Sequence, residues 1–261
     1  MLSSSHHHRG FTIIELLTVI VILSVITVLG SHFVVQLIRG QQLLESQWRL
    51  MTRGEITLLR LQKQVRSTVP HSLRVTNGNR CVKFLPVVAQ GLYVDPVPDR
   101  DNKQAPSGRN SPIGVLHHSV DGGTARYLVI GAEASGEVYG NAADSIAAVD
   151  SLTATSIRLT ANHRWRRNSP RQQFYLTDNP QAFCLLNNEL RYYPQVEQTA
   201  NNVDINSGYQ LLLTNVTNVG RAFDVDNPNS DCQQCLEISL ALTVGDWQWL
   251  LRDKLVSHYG P

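Results

Sequence analysis

The chain has no proline between Met1 and Val69, so no ring interrupts a helix anywhere in that stretch. From Phe11 to Leu29 it has one ionisable side chain, Glu15. It also lacks a charge imbalance, with 23 Lys+Arg against 21 Asp+Glu in 261 residues. That balance argues against a nucleic-acid binder, which would be strongly basic. No G-x-S-x-G, G-x-x-x-x-G-K-S/T or H-E-x-x-H pattern occurs, so the usual nucleophile elbow, phosphate loop and zinc-protease helix have no candidate. His117 and His118 are adjacent, and adjacent side chains diverge in a strand, which speaks against a metal pair. No internal repeat is present. From these absences we expect neither an enzyme nor a cofactor.

What is present is one apolar run, "RGFTIIELLTVIVILSVITVLG". As a helix, Phe11–Leu29 would be roughly 28 Å long, close to the thickness of a bilayer core. No other segment approaches this, and everything after residue 40 reads as soluble. Three readings fit: a cleaved signal peptide, with Arg9 as the basic end and Val28-Leu29-Gly30 as the cut; an uncleaved anchor; or a segment cut before the run rather than after it. Glu15 separates them. A carboxylate inside a bilayer costs about 2.5–3.5 kcal/mol and usually marks a function. A plain signal peptide or anchor gains nothing from it. A cut between Gly10 and Phe11, however, creates an α-amine one helical turn from Glu15. Within one chain the two groups lie about 6 Å apart along the axis, whereas between two staggered chains they can meet.

The stretch "RGFTIIEL" resembles the class III prepilin motif of type IV pilins and type II secretion pseudopilins. The matching positions are Arg9, Gly10, Phe11, Thr12 and Glu15, followed by the apolar run. The resemblance implies a prepilin peptidase that cuts after Gly10 and methylates Phe11. It implies a type IV pilin-like fold of class α+β, a long helix packed on a β-rich domain. The expected partners are other major and minor pilins, an inner-membrane assembly platform and a membrane, and nucleic acid is not expected. The expected location is the inner membrane, with a periplasmic globular domain, and then a cell-surface pilus. Residues 1–10 would be a cleaved leader, whose three histidines are discarded with it. Residues 11–39 would be the transmembrane and assembly half of the helix, 40–69 its amphipathic half, and 70–261 the globular domain. Segments such as "LRLQKQVRSTVPHSLRV", "YLVIGAEASGEVYG" and "WQWLLRDKLVSHYGP" are similar to minor pilins of the MSHA pilus, which implies a role in initiating or capping assembly. The J-type minor pseudopilins of type II secretion are the alternative. The missing proline departs from the major-pilin pattern.

From Gln41 to Ser67 the only helix breaker is Gly54, and Leu44, Met51, Leu58 and Val65 recur every seven residues. With Trp48, Leu59 and Leu61 they predict an amphipathic stripe, ended by Pro70. One helix of roughly 85 Å is expected from Phe11 to about Ser67. Gly30, Ser31 and Gly40 are weak helix formers at which it can bend. Beyond Ser72 the pattern is β: "SLRVT" and "RCVKFLPV" around Asn77-Gly78, "RYLVIGA", "SIRLTA", "RQQFYL", "QAFCLL" and "ELRYY" around Asn187-Asn188, then "YQLLLT", "RAFDVD", "CLEISLALTV" and "WQWLLRDKLVSHY". Leu92–Gly114 reads as a long surface loop.

Four cysteines in an exported domain suggest disulfides, and local spacing favours Cys81–Cys184 and Cys232–Cys235. Cys232-x-x-Cys235 also admits a class-different alternative, a signal-anchored periplasmic thiol oxidoreductase, but a redox pair would open a helix. Asp224, Asp226 and Asp231, with Glu237, are weak calcium candidates without EF-hand spacing. "HRWRRNSPR" offers four arginines that could grip phosphates, or a loop around a buried Trp165. An adhesin using Leu92–Gly114 or Arg164–Arg171 is the third class.

Overall fold

The computed structural model describes residues 12–102, 104–116, 118, 123–226 and 234–256. Helix α1 (Ile13–Arg66) is continuous for 54 residues. It passes Gly30 and Gly40 without a break, and a Cβ at either glycine would have open space. By contacts the chain divides after Leu50 into Met1–Leu50 and Met51–Pro261. Among the described residues the first unit is α1 as far as Leu50. The second holds the end of α1 and all the strands.

The strands are β1 (Arg74–Thr76), β2 (Cys81–Phe84), β3 (Val87–Leu92), β4 (Ile113–Gly114), β5 (Tyr127–Ile130), β6 (Ile146–Leu152), β7 (Ser156–Leu159), β8 (Gln173–Thr177), β9 (Gln181–Leu186), β10 (Glu189–Tyr193), β11 (Gln210–Thr214), β12 (Val216–Asp226), β13 (Cys235–Val244) and β14 (Trp247–Val256). They form three antiparallel sheets, ordered β1-β2-β9-β10-β11, β3-β8-β5-β6-β7-β4 and β12-β13-β14. The class is α+β, as expected from one long helix followed by strands.

Turn chemistry sets the registers. Asn187 and Asn188 both have positive φ, 52° and 61°, and close the two-residue β9–β10 hairpin. That is the geometry whose twist matches the flanking strands. Asn77, Gly78 and Asn79 take the same sign between β1 and β2, and Asn77 also clamps Val203 by donating to its carbonyl and accepting from its N–H. The core is built on Trp165, Phe174, Leu128 and Leu176 under the six-stranded sheet, and on Val69, Leu85, Val138 and Tyr139 beside it.

Three expectations need correction. The face of α1 buried in the second unit runs through Gly54, Thr57, Leu61 and Val65, whereas Leu59 is 64% exposed. Leu44 and Trp48, in the first unit, are also exposed. The stripe shifts because Gly54 admits close approach. A Cβ there would lie 2.7 Å from Leu242 Cδ1 and 3.1 Å from Trp249 Cζ3. Leu92–Gly114 is not simply a surface loop. Val97 and Ile113 are in the core, Asp99 is buried, and β4 pairs with β7. Its buried backbone is satisfied by a side chain, since Asn168 accepts from Val97 N–H (2.8 Å) and donates to Val97 O (2.8 Å). Finally, β6 and the first half of β12 were not expected as strands. β6 carries Asp150 and Ser151, and β12 bulges around Gly220 (φ 77°).

Candidate functional site

The site begins where α1 begins. Thr12 O accepts from Glu15 N–H (3.1 Å) and Leu16 N–H (3.2 Å), which opens the first turn. Glu15 therefore sits at the positive end of the helix dipole, where a carboxylate is favoured. Around it the apolar side chains face outward: Ile13 is 85% exposed, and none of the most apolar stretch is buried. The mean hydropathy there is 2.7, and by length and composition the helix can cross a membrane.

Four hydroxyls in this run bond back onto the helix. Thr18 donates to Glu15 O (2.9 Å), Ser24 to Val21 O (2.8 Å), Thr27 to Leu23 O (2.7 Å) and Ser31 to Val28 O (2.8 Å). Each folds its polarity back onto its own helix, the usual solution where water is scarce. Glu15 is different. Its carboxylate makes no hydrogen bond or ion pair among the described residues. Gly10 and Phe11, the residues expected to be cut apart, lie outside the described residues.

The remaining candidates are dispersed. Cys81 and Cys184 are direct cross-strand partners on β2 and β9 and are disulfide-bonded. Cys235 is also disulfide-bonded and is the first residue of β13, a strand rather than the helix start a redox pair needs. Cys232 and Asp231 lie outside the described residues, as does the Asp226 side chain. Asp224 pairs with Arg221 at 3.0 Å. No group of three or more His, Cys, Asp or Glu side chains able to hold a metal occurs among the described residues.

Three of the four arginines of "HRWRRNSPR" serve the fold, and the fourth, Arg171, is exposed. Arg164 donates to Asp99 O and Asn102 O (both 2.7 Å) and to Gln104 O (2.8 Å). Arg166 and Arg167 both bind Glu137, at 3.0 and 2.7 Å. Burial would push the Glu137 carboxyl up, but the hydrogen bond from Arg167, with help from Glu133 N–H, holds it below the usual value. Trp165 between them is fully buried.

Sequence reasoning missed Lys83, fully buried on β2. Its Nζ donates to Glu197 O (2.6 Å) and Ala200 O (2.9 Å) and stands 4.4 Å from the Tyr139 ring centroid. Burial, then the nearby Arg74 charge, lower it to about 8, opposed by Glu197. The only signal was a lysine inside the apolar "CVKF". Its role is to hold the segment 197–200 against the sheet.

The family model for the prokaryotic N-terminal methylation motif matches residues 5–31, which span Gly10, Phe11, Thr12 and Glu15. No match was found among the curated proteins or the solved structures. That motif implies processing by a prepilin peptidase and assembly with other pilins, the behaviour of structural subunits. On an apolar helix long enough to anchor a chain in a membrane, it marks this protein as type IV pilin-like or pseudopilin-like at its N-terminus.

Proposed function

We propose that the chain is a minor pilin, of the MshO type, that helps to initiate or cap an MSHA-like type IV pilus. The observation that carries this reading is Glu15, a carboxylate with no partner among the described residues, set in an apolar run where Thr18, Ser24, Thr27 and Ser31 each bond back onto the helix. It lies inside the segment matched by the methylation motif. Hydrolysis of the Gly10–Phe11 amide would free the Phe11 amine. N-methylation keeps that nitrogen basic, so it remains a cation at neutral pH. In the assembly, Glu15 would accept such an amine from a staggered neighbour, and protein contacts would replace lipid along Ile13–Leu29. An ion pair removed from water is strong enough to fix a stagger, whereas apolar contacts alone slide.

Deletion of the gene in its host, followed by electron microscopy of surface filaments, tests the reading. Loss of pili, restored by the wild-type chain but not by Gly10→Val or Glu15→Ala, is the expected result. Intact pili with lost protein secretion would overturn the pilus assignment and favour a J-type pseudopilin of type II secretion.

A further inference from the structure

Two hairpin turns and a bulge come together around an open cavity of about 440 Å³. The turns are Gly78–Arg80, between β1 and β2, and Asn187-Asn188, between β9 and β10. The bulge is on β12. Asn218 pairs with Leu240 and Phe223 with Ile238, so Val219, Gly220, Arg221 and Ala222 stand opposite Ser239 alone. Extra residues of this kind bend a strand and re-aim its side chains. Here they bring Arg221 into the cavity wall. Backbone hydrogen bonds tie the walls together. Leu185 N–H donates to Arg80 O (2.8 Å) and Val216 N–H to Asn188 O (3.0 Å). The Asn77 clamp on Val203 also pins the first turn. The cavity is therefore built before any ligand arrives.

Among the described residues, two arginines line this cavity and no carboxylate does. The carboxylates next in sequence to its lining are already committed, Glu189 to Arg191 (2.7 Å) and Asp224 to Arg221 (3.0 Å). The second pair occupies Nη1 of Arg221 and leaves the other donors of a guanidinium that has five. The Arg80 side chain makes no hydrogen bond or ion pair among the described residues. The side-chain amides of Asn79, Asn187 and Asn188 likewise have no partner there. Each amide offers both donors and an acceptor. No aromatic side chain lines the cavity, so a base or the face of a neutral sugar finds nothing to stack on.

We propose that this cavity is a binding site for an acidic sugar, a ligand that carries one carboxylate and several hydroxyls. Arg80 and Arg221 hold the carboxylate by charge-assisted hydrogen bonds, which are the strong kind. Asn79, Asn187 and Asn188 meet the hydroxyls, which both donate and accept as an amide does. Sulfate only accepts, so it would leave the amide carbonyls unused and most of the 440 Å³ empty. That volume lies in the range of small-molecule sites. The inference goes beyond the N-terminal reading and stands whether or not Gly10 is cut.

The test uses the full chain in a sugar-free detergent and saturation-transfer NMR observed on the ligand. Glucuronic acid is the probe, glucose the neutral control and sulfate the competitor. Saturable transfer to glucuronate is expected, with glucose bound about tenfold more weakly or not at all. The double variant R80A/R221A should bind glucuronate about tenfold more weakly or worse. Its urea midpoint should stay close to wild type, because both side chains are exposed. Asn187→Asp puts a carboxylate on the rim and should also weaken binding. Arg171→Ala, exposed and outside the cavity, should not. No saturable transfer, or unchanged binding in R80A/R221A, would overturn the proposal. So would equal binding of glucose, or an equal loss in Arg171→Ala, which means general attraction to a basic surface. Sulfate that displaces glucuronate at equal concentration would reduce the site to one for simple anions and also overturn it.

Discussion

Gly54 brings α1 into close contact with the β13–β14 sheet, and enlarging it tests that packing. A Cβ at residue 54 would lie 2.7 Å from Leu242 Cδ1, 3.1 Å from Trp249 Cζ3 and 3.5 Å from Leu251 Cδ1. Carbon atoms prefer about 3.5–4.0 Å, so the first two contacts are too short by several tenths of an ångström or more. Leu242 is fully buried and cannot swing into solvent. Gly54→Ala gains about 1 kcal/mol of helix propensity and loses about 1–3 kcal/mol to overpacking, so a net loss of about 1 kcal/mol is expected. Gly54→Leu adds three more carbons to the same gap and should lose about 3 kcal/mol. Gly40→Ala is the control, because nothing lies within 4 Å of the added carbon. It should show no loss. Urea unfolding of the detergent-solubilised chain, followed by tryptophan fluorescence, reads all three. A Gly54→Leu protein as stable as wild type would refute the packing of this face of α1 on the sheet.

The other expectations concern the globular part. The Cys81–Cys184 bridge closes a loop with a sequence separation of 103. Replacing both cysteines with alanine should cost about 4–5 kcal/mol of chain entropy in the unfolded state, seen as a lower urea midpoint. Glu137 is held below its usual value in the folded state, so its contribution is present above the unfolded pKa and is lost as pH falls through the folded one. Glu137→Gln should therefore be about 2 kcal/mol less stable than wild type at pH 7 and close to it in acid, by urea midpoints at each pH. Lys83 runs the other way. With a folded value near 8 against 10.5, the unfolded chain binds that proton more tightly between those limits. Stability from this group rises with pH across the window. The advantage of wild type over Lys83→Met should grow by up to about 3 kcal/mol from pH 8 to 10.5.

The sequence carried the long helix and most strands because those features are local. A proline-free apolar run and alternating segments declare themselves without knowledge of their neighbours. The Asn187-Asn188 turn was legible for the same reason, since two residues that tolerate positive φ stood between two strand patterns. The buried stripe of α1 was not, because burial there follows a glycine and a threonine that fit the opposing sheet, not the larger apolar residues beside them. Asn168 shows the same limit. Nothing local says that it will satisfy the backbone of Val97, 71 residues earlier in the chain. β6 was hidden by its alanines and Asp150, which are poor strand formers that the six-stranded sheet overrides. At the N-terminus, Glu15 stood out because a lone carboxylate in an apolar run is costly. The structure adds that Thr18, Ser24, Thr27 and Ser31 bond back onto the helix while this carboxylate has no partner among the described residues.

The most direct test of the central claim is the intact mass and N-terminal residue of the chain purified from its own host's membranes. A chain that starts at N-methylated Phe11 is the expected result, and it makes Glu15 available to a neighbour's amine. A chain that starts at Ser31, as after a signal peptidase, or that keeps Met1 as an uncleaved anchor would contradict the account.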